Sequence, residues 1–185
     1  MGQRTETFVT YINSKGEKTN NIYYNGWGIG RVQLMAIFGA LFGQAQDEKF
    51  ELDGFCKMHN DTKEIMCEGE DVNALDFTDI NTIHDIVKHR CDNNNGGIVV
   101  IVNDEKPHIY SKKIKIGFFL GGEECYDWKK EEWTEEPYSR FVTFEEWAKK
   151  VGGRYVDKAF KKIVKGVFEH FEVEVLQGEM GKDKQ

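Results

Sequence analysis

Carboxylates and large aromatic side chains are interleaved in residues 123–138, called the acidic segment here. Acids beside aromatic rings suit contact with a protein surface that normally binds nucleic acid, because the carboxylates imitate phosphates and the rings serve as anchors. A solvated acidic loop whose rings point into the core would have the same composition. The candidate partner-binding residues are Glu123, Glu124, Asp127, Trp128, Glu131, Glu132, Trp133, Glu135 and Glu136.

A row of lysines near the C-terminus is the second feature that could carry chemistry. Their spacing of three and four residues places them on one side of the helix predicted there. Such a row could hold the phosphate backbone of RNA or DNA. The solvated face of an amphipathic helix has the same pattern. The lysine row consists of Lys158, Lys161, Lys162 and Lys165.

Asp85 and His89 form a candidate catalytic pair. They lie four residues apart in a predicted helix, so the carboxylate could orient the imidazole for proton transfer. With the lysine row on the backbone, this pair would suit a small RNA-processing enzyme. An ordinary exposed pair on a helix explains the same spacing.

Three residues have spacing that could bind a metal. Cys56, His59 and Cys67 could contribute to a zinc site, with His89 and Cys91 as further ligands. Buried, inert thiols and a surface histidine explain the same residues. The sequence does not decide between these two interpretations, and nothing in it requires a cofactor.

Length and composition limit the class of protein. The chain has 185 residues, enough for one domain with its own core, and we expect a single domain over residues 1–178 with a flexible tail at 179–185. The formal net charge of −7 argues against nonspecific binding of DNA or of an anionic membrane. The scattered cysteines, the absence of a secretory pattern and the short apolar stretches predict a soluble, cytoplasmic protein.

Alternation of polar and apolar residues predicts several strands. Residues 5–12 form one, and turn chemistry at residues 13–16 leads to a returning strand at 21–25. The β-branched run at 98–102 and the alternating stretch at 108–120 predict a second hairpin. Shorter strands are expected around residues 55–58 and 64–67.

Helices are predicted from capping residues and apolar stripes. A glycine-rich bend at 26–30, either a tight turn or a phosphate cradle, leads to a buried helix that ends near Gln44. Thr78 or Asp79 begins a helix that runs to about Cys91. Thr143 begins a short helix, and residues 154–171 carry a longer apolar stripe. That stripe consists of Tyr155, Val156, Ala159, Phe160, Ile163, Val164, Val167, Phe168 and Phe171. The fold class is therefore α+β, with antiparallel hairpins, a buried helix and a helical C-terminal segment.

The first 45 residues or so resemble a group of small proteins from phages and mobile elements. Those proteins begin with Met-Gly-Gln-Arg, as residues 1–4 do, and carry a turn before a helix that is similar to Trp27-Gly28-Ile29-Gly30-Arg31. The resemblance points to the type II-A anti-CRISPR families, which inhibit Cas9. It implies a host bacterial cytoplasm and Cas9, or Cas9 with its guide RNA, as partner. No catalytic residue is carried over from it.

Two functional hypotheses follow. In the first, the protein is a non-enzymatic antagonist whose acidic segment binds a basic nucleic-acid-binding protein such as Cas9. In the second, it is a guide-RNA nuclease that uses the lysine row and the pair Asp85 and His89.

Overall fold

The computed structural model of the protein describes residues 5–25, 34–35, 37–39, 62–64, 71–90, 96–103, 113–120, 124–127, 132–135, 139–150 and 157–178. Their strands are β1 (Thr5–Ile12), β2 (Lys18–Asn25), β3 (Thr62–Glu64), β4 (Gly97–Asn103), β5 (Lys113–Leu120), β6 (Glu124–Asp127), β7 (Glu132–Glu135), β8 (Arg140–Val142) and β9 (Glu174–Val175). Their helices are α1 (Ile80–Arg90), α2 (Phe144–Lys150) and α3 (Lys158–His170), with further helical residues at 34, 35 and 37–39 and a 3-10 turn at Val72–Ala74.

The main sheet has seven described strands in the order β3-β2-β1-β4-β5. At the outer edge of β5, β8 pairs with residues 118–120 and β9 pairs with residues 115–116. Most neighbouring pairs are antiparallel, which confirms the α+β class. Two pairs, β1 with β4 and β5 with β9, are parallel. A parallel pair needs a long crossover connection, and the chain between β2 and β4 supplies it with β3 and α1.

The sheet is covered on both faces. One face packs against α2, α3 and the helical residues near 37, and the other packs against α1 and the 3-10 turn. Strand β4 contributes to both layers, because Val100 and Val102 belong to the first cluster while Val99 and Ile101 belong to the second. A strand buried on both sides is expected to be a continuous β-branched run, as this one is.

The hairpin of β1 and β2 matches the prediction and extends it. The Asn13 side chain accepts hydrogen bonds from the backbone of Lys15 and Glu17, and Gly16 adopts a positive φ of 77°. Strand β2 begins at Lys18 rather than at residue 21. Asn20 of β2 is buried, and its side-chain amide donates hydrogen bonds to the backbone carbonyls of Val72 and Leu75. These hydrogen bonds connect the 3-10 turn to the sheet.

Helix α1 forms where the sequence predicts it. Asp79 caps the helix by accepting a hydrogen bond from the Asn81 backbone at 2.9 Å. The predicted apolar stripe is buried against the sheet, and it consists of Ile80, Ile83, Ile86 and Val87. Thr143 caps α2 in the same way, because its hydroxyl accepts from the Glu146 backbone.

Asp157 is the N-cap of helix α3, and its carboxylate accepts a hydrogen bond from the Phe160 backbone at 2.8 Å. Phe160, Val164 and Val167 are buried as predicted. Ile163 is 52% exposed and Ala159 is also exposed. The predicted stripe was therefore too wide, because α3 rests on the sheet along a narrower face.

Replacing Asp157 with alanine is expected to reduce the free energy of unfolding by about 1 kcal/mol, because the first turn of α3 loses its side-chain acceptor. Urea unfolding followed by circular dichroism measures the loss. Asp157→Asn is the control, since its side-chain oxygen still caps the helix. An alanine variant as stable as wild type would show that the cap does not stabilise α3.

The chain after α3 returns to the sheet, which the sequence did not predict. Glu174 and Val175 pair with Lys115 and Ile116 of β5, and the Leu176 backbone donates to the Ile116 carbonyl at 2.9 Å. The Phe141 backbone of β8 then donates to the carbonyl of Gly178. The last described residues are thus part of the sheet.

Several predictions can be compared only in part. The strand expected around 64–67 is described as β3 at 62–64, and α3 is described from Lys158. The strand around 55–58, the glycine-rich bend at 26–30, the tail at 179–185, and Tyr155 and Val156 lie outside the described residues.

Candidate functional site

The acidic segment contains a hairpin of its own. Strands β6 and β7 pair with each other in a separate two-stranded sheet, and neither pairs with a described strand of the main sheet. The chain enters this hairpin after β5 and leaves it before β8. The acidic hairpin, meaning β6 and β7, is therefore an insertion between two neighbouring strands of the main sheet.

The register of the acidic hairpin places like charges opposite one another. Glu124 is the partner of Glu135, and Asp127 is the partner of Glu132, while Tyr126 is the partner of Trp133. Directly opposed like charges destabilise an antiparallel pair. Taken by itself, this register of acidic residues therefore disfavours the hairpin.

The structure describes the backbone of only five of the nine candidate partner-binding residues. Glu124, Asp127, Glu132, Trp133 and Glu135 are placed by the strand register, as given above. The remaining four, Glu123, Trp128, Glu131 and Glu136, lie outside the described residues.

Trp147 belongs to the hydrophobic core. It is the third tryptophan in the stretch from residue 128 to residue 147, and it is completely buried. Its ring centroid lies 5.1 Å from that of Phe118 and 6.2 Å from that of Phe144. The tryptophans of this stretch are thus not all available as anchors for a partner.

The lysine row lines one side of a groove of about 1120 Å³ between α3, β8 and the start of α2. Lys158, Lys161, Lys162 and Lys165 are all exposed, as the sequence predicted. The apolar part of the groove is formed by Phe141, Val142, Phe144, Val164, Phe168 and Val173. This lysine groove combines cationic and apolar surface.

The charges of the lysine groove are only partly compensated. Three glutamates also line it, of which Glu146 pairs with Arg140 at 2.8 Å and Glu169 lies 3.8 Å from Lys165. Within the described residues, Lys158, Lys161 and Lys162 make no ion pair. Glu145 is the third acid, so the groove keeps a positive balance.

The structure does not bring the candidate catalytic residues to the lysine row. Asp85 is exposed on α1, which packs on one face of the main sheet, whereas α3 packs on the other face. The His89 backbone belongs to α1. RNA held along α3 would therefore have the sheet between it and Asp85.

A histidine–serine contact is present that the sequence analysis missed. His84 Nδ1 lies 3.0 Å from Ser139 Oγ, which connects α1 to the residue before β8. The two residues are 55 positions apart, so no local spacing could reveal the contact. Since Ser139 is completely buried, its hydroxyl is not placed to attack a substrate, and the contact is structural.

The zinc hypothesis concerns residues that the structure does not describe, namely Cys56, His59, Cys67 and Cys91. In the described ranges, no group of three or more metal-binding side chains comes together.

Comparison with protein families, with curated proteins and with solved structures finds no match for this chain. Among the helices of the described ranges, none has the length and apolar character needed to cross a membrane.

Proposed function

We propose that this protein is a binding antagonist, and that its acidic hairpin occupies the nucleic-acid-binding surface of a cationic host protein. The observation that carries the proposal is the register of β6 and β7, which opposes two pairs of carboxylates. An arrangement that costs stability in the free protein is explained if a cationic surface neutralises it in a complex. Cas9 is the first partner to test, because of the resemblance carried by residues 1–4 and 27–31.

The nuclease alternative has less support. It needs the lysine row and the pair Asp85 and His89 to act on one RNA strand, but α3 and α1 lie on opposite faces of the sheet. The lysine row could bind RNA, but α1, which carries the proposed acid–base pair, lies on the other face of the sheet.

The test is a Cas9 target-cleavage assay in which DNA and guide RNA are run on the same denaturing gel. Inhibition should saturate near one protein per Cas9 and leave the guide intact. The double substitution Glu131→Lys and Glu132→Lys should abolish inhibition, because it replaces two negative charges of the acidic segment with two positive ones. Inhibition by wild type should also weaken as salt is raised.

The matched control is Glu17→Lys with Glu172→Lys, which changes the net charge equally at two exposed positions outside the hairpin. This control should inhibit as well as wild type. Full inhibition by the Glu131→Lys and Glu132→Lys variant would remove the acidic segment from the proposal. Shortened guide RNA at substoichiometric protein would instead support the nuclease.

A further inference from the structure

The charges of this chain are segregated along the sequence. Residues 123–146 carry nine acidic and three basic residues, whereas residues 147–171 carry two acidic and seven basic residues. The first stretch contains the acidic hairpin, and the second contains α3 with the lysine row. The chain therefore contains two neighbouring stretches of opposite charge.

The lysine groove and the acidic segment also match in their apolar content. The lysine groove has an apolar lining of phenylalanine and valine beside its ammonium groups. The acidic segment has tyrosine and tryptophan beside its carboxylates. An aromatic, acidic segment could bury its rings against the groove while its carboxylates meet Lys158, Lys161 and Lys162, which have no ion pair within the described residues.

Nucleic acid fits the lysine groove less well. Its phosphates could use the lysine row, but its bases would find few open ring faces to stack on, because Phe141 and Phe144 of the lining are buried. The net charge of −7 also repels a polyanion as a whole. A second copy of this chain has the same net charge, but its acidic segment carries aromatic residues among the acids.

We propose that the acidic segment of one copy docks in the lysine groove of a second copy, and that the reciprocal contact forms a two-fold symmetric dimer. Symmetry fills both grooves with both segments in one closed assembly. The inference shares with the proposed function the premise that the acidic segment binds protein. It adds that the dimer covers this segment, so a host partner and the second copy compete for it.

Sedimentation velocity over a wide range of protein concentrations tests the dimer, at about 50 and 500 mM salt. Wild type should show a concentration-dependent dimer at low salt that weakens at high salt. The variant Lys161→Glu with Lys162→Glu and the variant Glu131→Lys with Glu132→Lys should each associate about tenfold or more weakly. An equimolar mixture of the two variants should recover the dimer. In the mixed dimer the reversed segment of one variant meets the reversed groove of the other, and the second contact joins an unchanged segment to an unchanged groove.

The matched control is Lys15→Glu with Lys113→Glu, which makes the same change in net charge at exposed positions outside the groove. It should dimerise like wild type, and circular dichroism should show that all variants are folded. Wild type that stays monomeric at every concentration would overturn the inference, and so would a dimer that neither charge reversal weakens. A monomer that binds a labelled single-stranded RNA through the lysine row would overturn it in favour of nucleic acid. The cleavage assay does not depend on these outcomes, so the dimer can fail while the antagonist stands.

Discussion

Replacing Trp147 with alanine is expected to lower the free energy of unfolding by about 3–5 kcal/mol, the cost of removing a large buried aromatic side chain. Trp147 is completely buried, and it packs against Phe118 of the sheet and Phe144 of its own helix. The cavity would open between α2 and β5, where neighbouring rings could fill it only by leaving their own contacts. Chemical denaturation followed by circular dichroism measures the loss.

Trp147→Phe is the matched control for this prediction. The indole Nε1 is buried and has no hydrogen-bond partner within the described ranges, so phenylalanine removes a costly polar group as well as some volume. The free energy of unfolding should therefore fall clearly less in Trp147→Phe than in Trp147→Ala. A loss below about 1 kcal/mol for Trp147→Ala would contradict the assignment of this ring to the core.

Gly97→Ala is expected to cost about 2–3 kcal/mol, because a methyl group at this position has no room. It would overlap the backbone carbonyl of Glu6 in the neighbouring strand and lie 2.7 Å from the ring of Phe119. Neither group can move freely, since Glu6 lies in the parallel pairing of β1 with β4 and the Phe119 side chain is completely buried. The melting temperature and the urea midpoint should both fall.

Gly166→Ala makes the same chemical change as Gly97→Ala, but it is expected to have the opposite effect on stability. Gly166 lies inside α3, and an added methyl group would meet no atom within 4 Å. Alanine should therefore stabilise the helix by about 0.5–1 kcal/mol. If Gly97→Ala were as stable as wild type, or more stable, the close contact of β1 with β4 at Gly97 would be wrong.

The local elements of the fold were largely predictable from the sequence. The turn at residues 13–16, the uninterrupted strand β4 and the buried stripe of α1 each follow from short-range patterns. These patterns depend on side-chain periodicity and on turn chemistry, which neighbouring residues determine by themselves.

The pairing of distant elements was not predictable in this way. The parallel contact of β1 with β4 and the return of β9 to β5 join residues far apart in sequence, and no spacing marks them. The exposure of Ile163 has a similar cause, because only the docking angle of α3 decides which edge of its apolar stripe is covered.

The candidate site shows the same division. The acidic composition and the lysine row were evident from the sequence itself, and all four lysines are exposed as expected. The opposed carboxylates of β6 and β7 depend on the hairpin register, which the sequence did not specify. The separation of Asp85 from the lysine row depends on which face of the sheet each helix covers.

The position of β9 bears on how this protein folds during synthesis. Ile116 and its neighbour Lys115 present an unpaired strand edge until residues 174 and 175 have been made, because those residues are their partners on that side. An open edge of this kind can pair with another chain. A nascent molecule is therefore exposed to aggregation until β9 has been made, and slow translation of the residues between β5 and β9 would lengthen that interval.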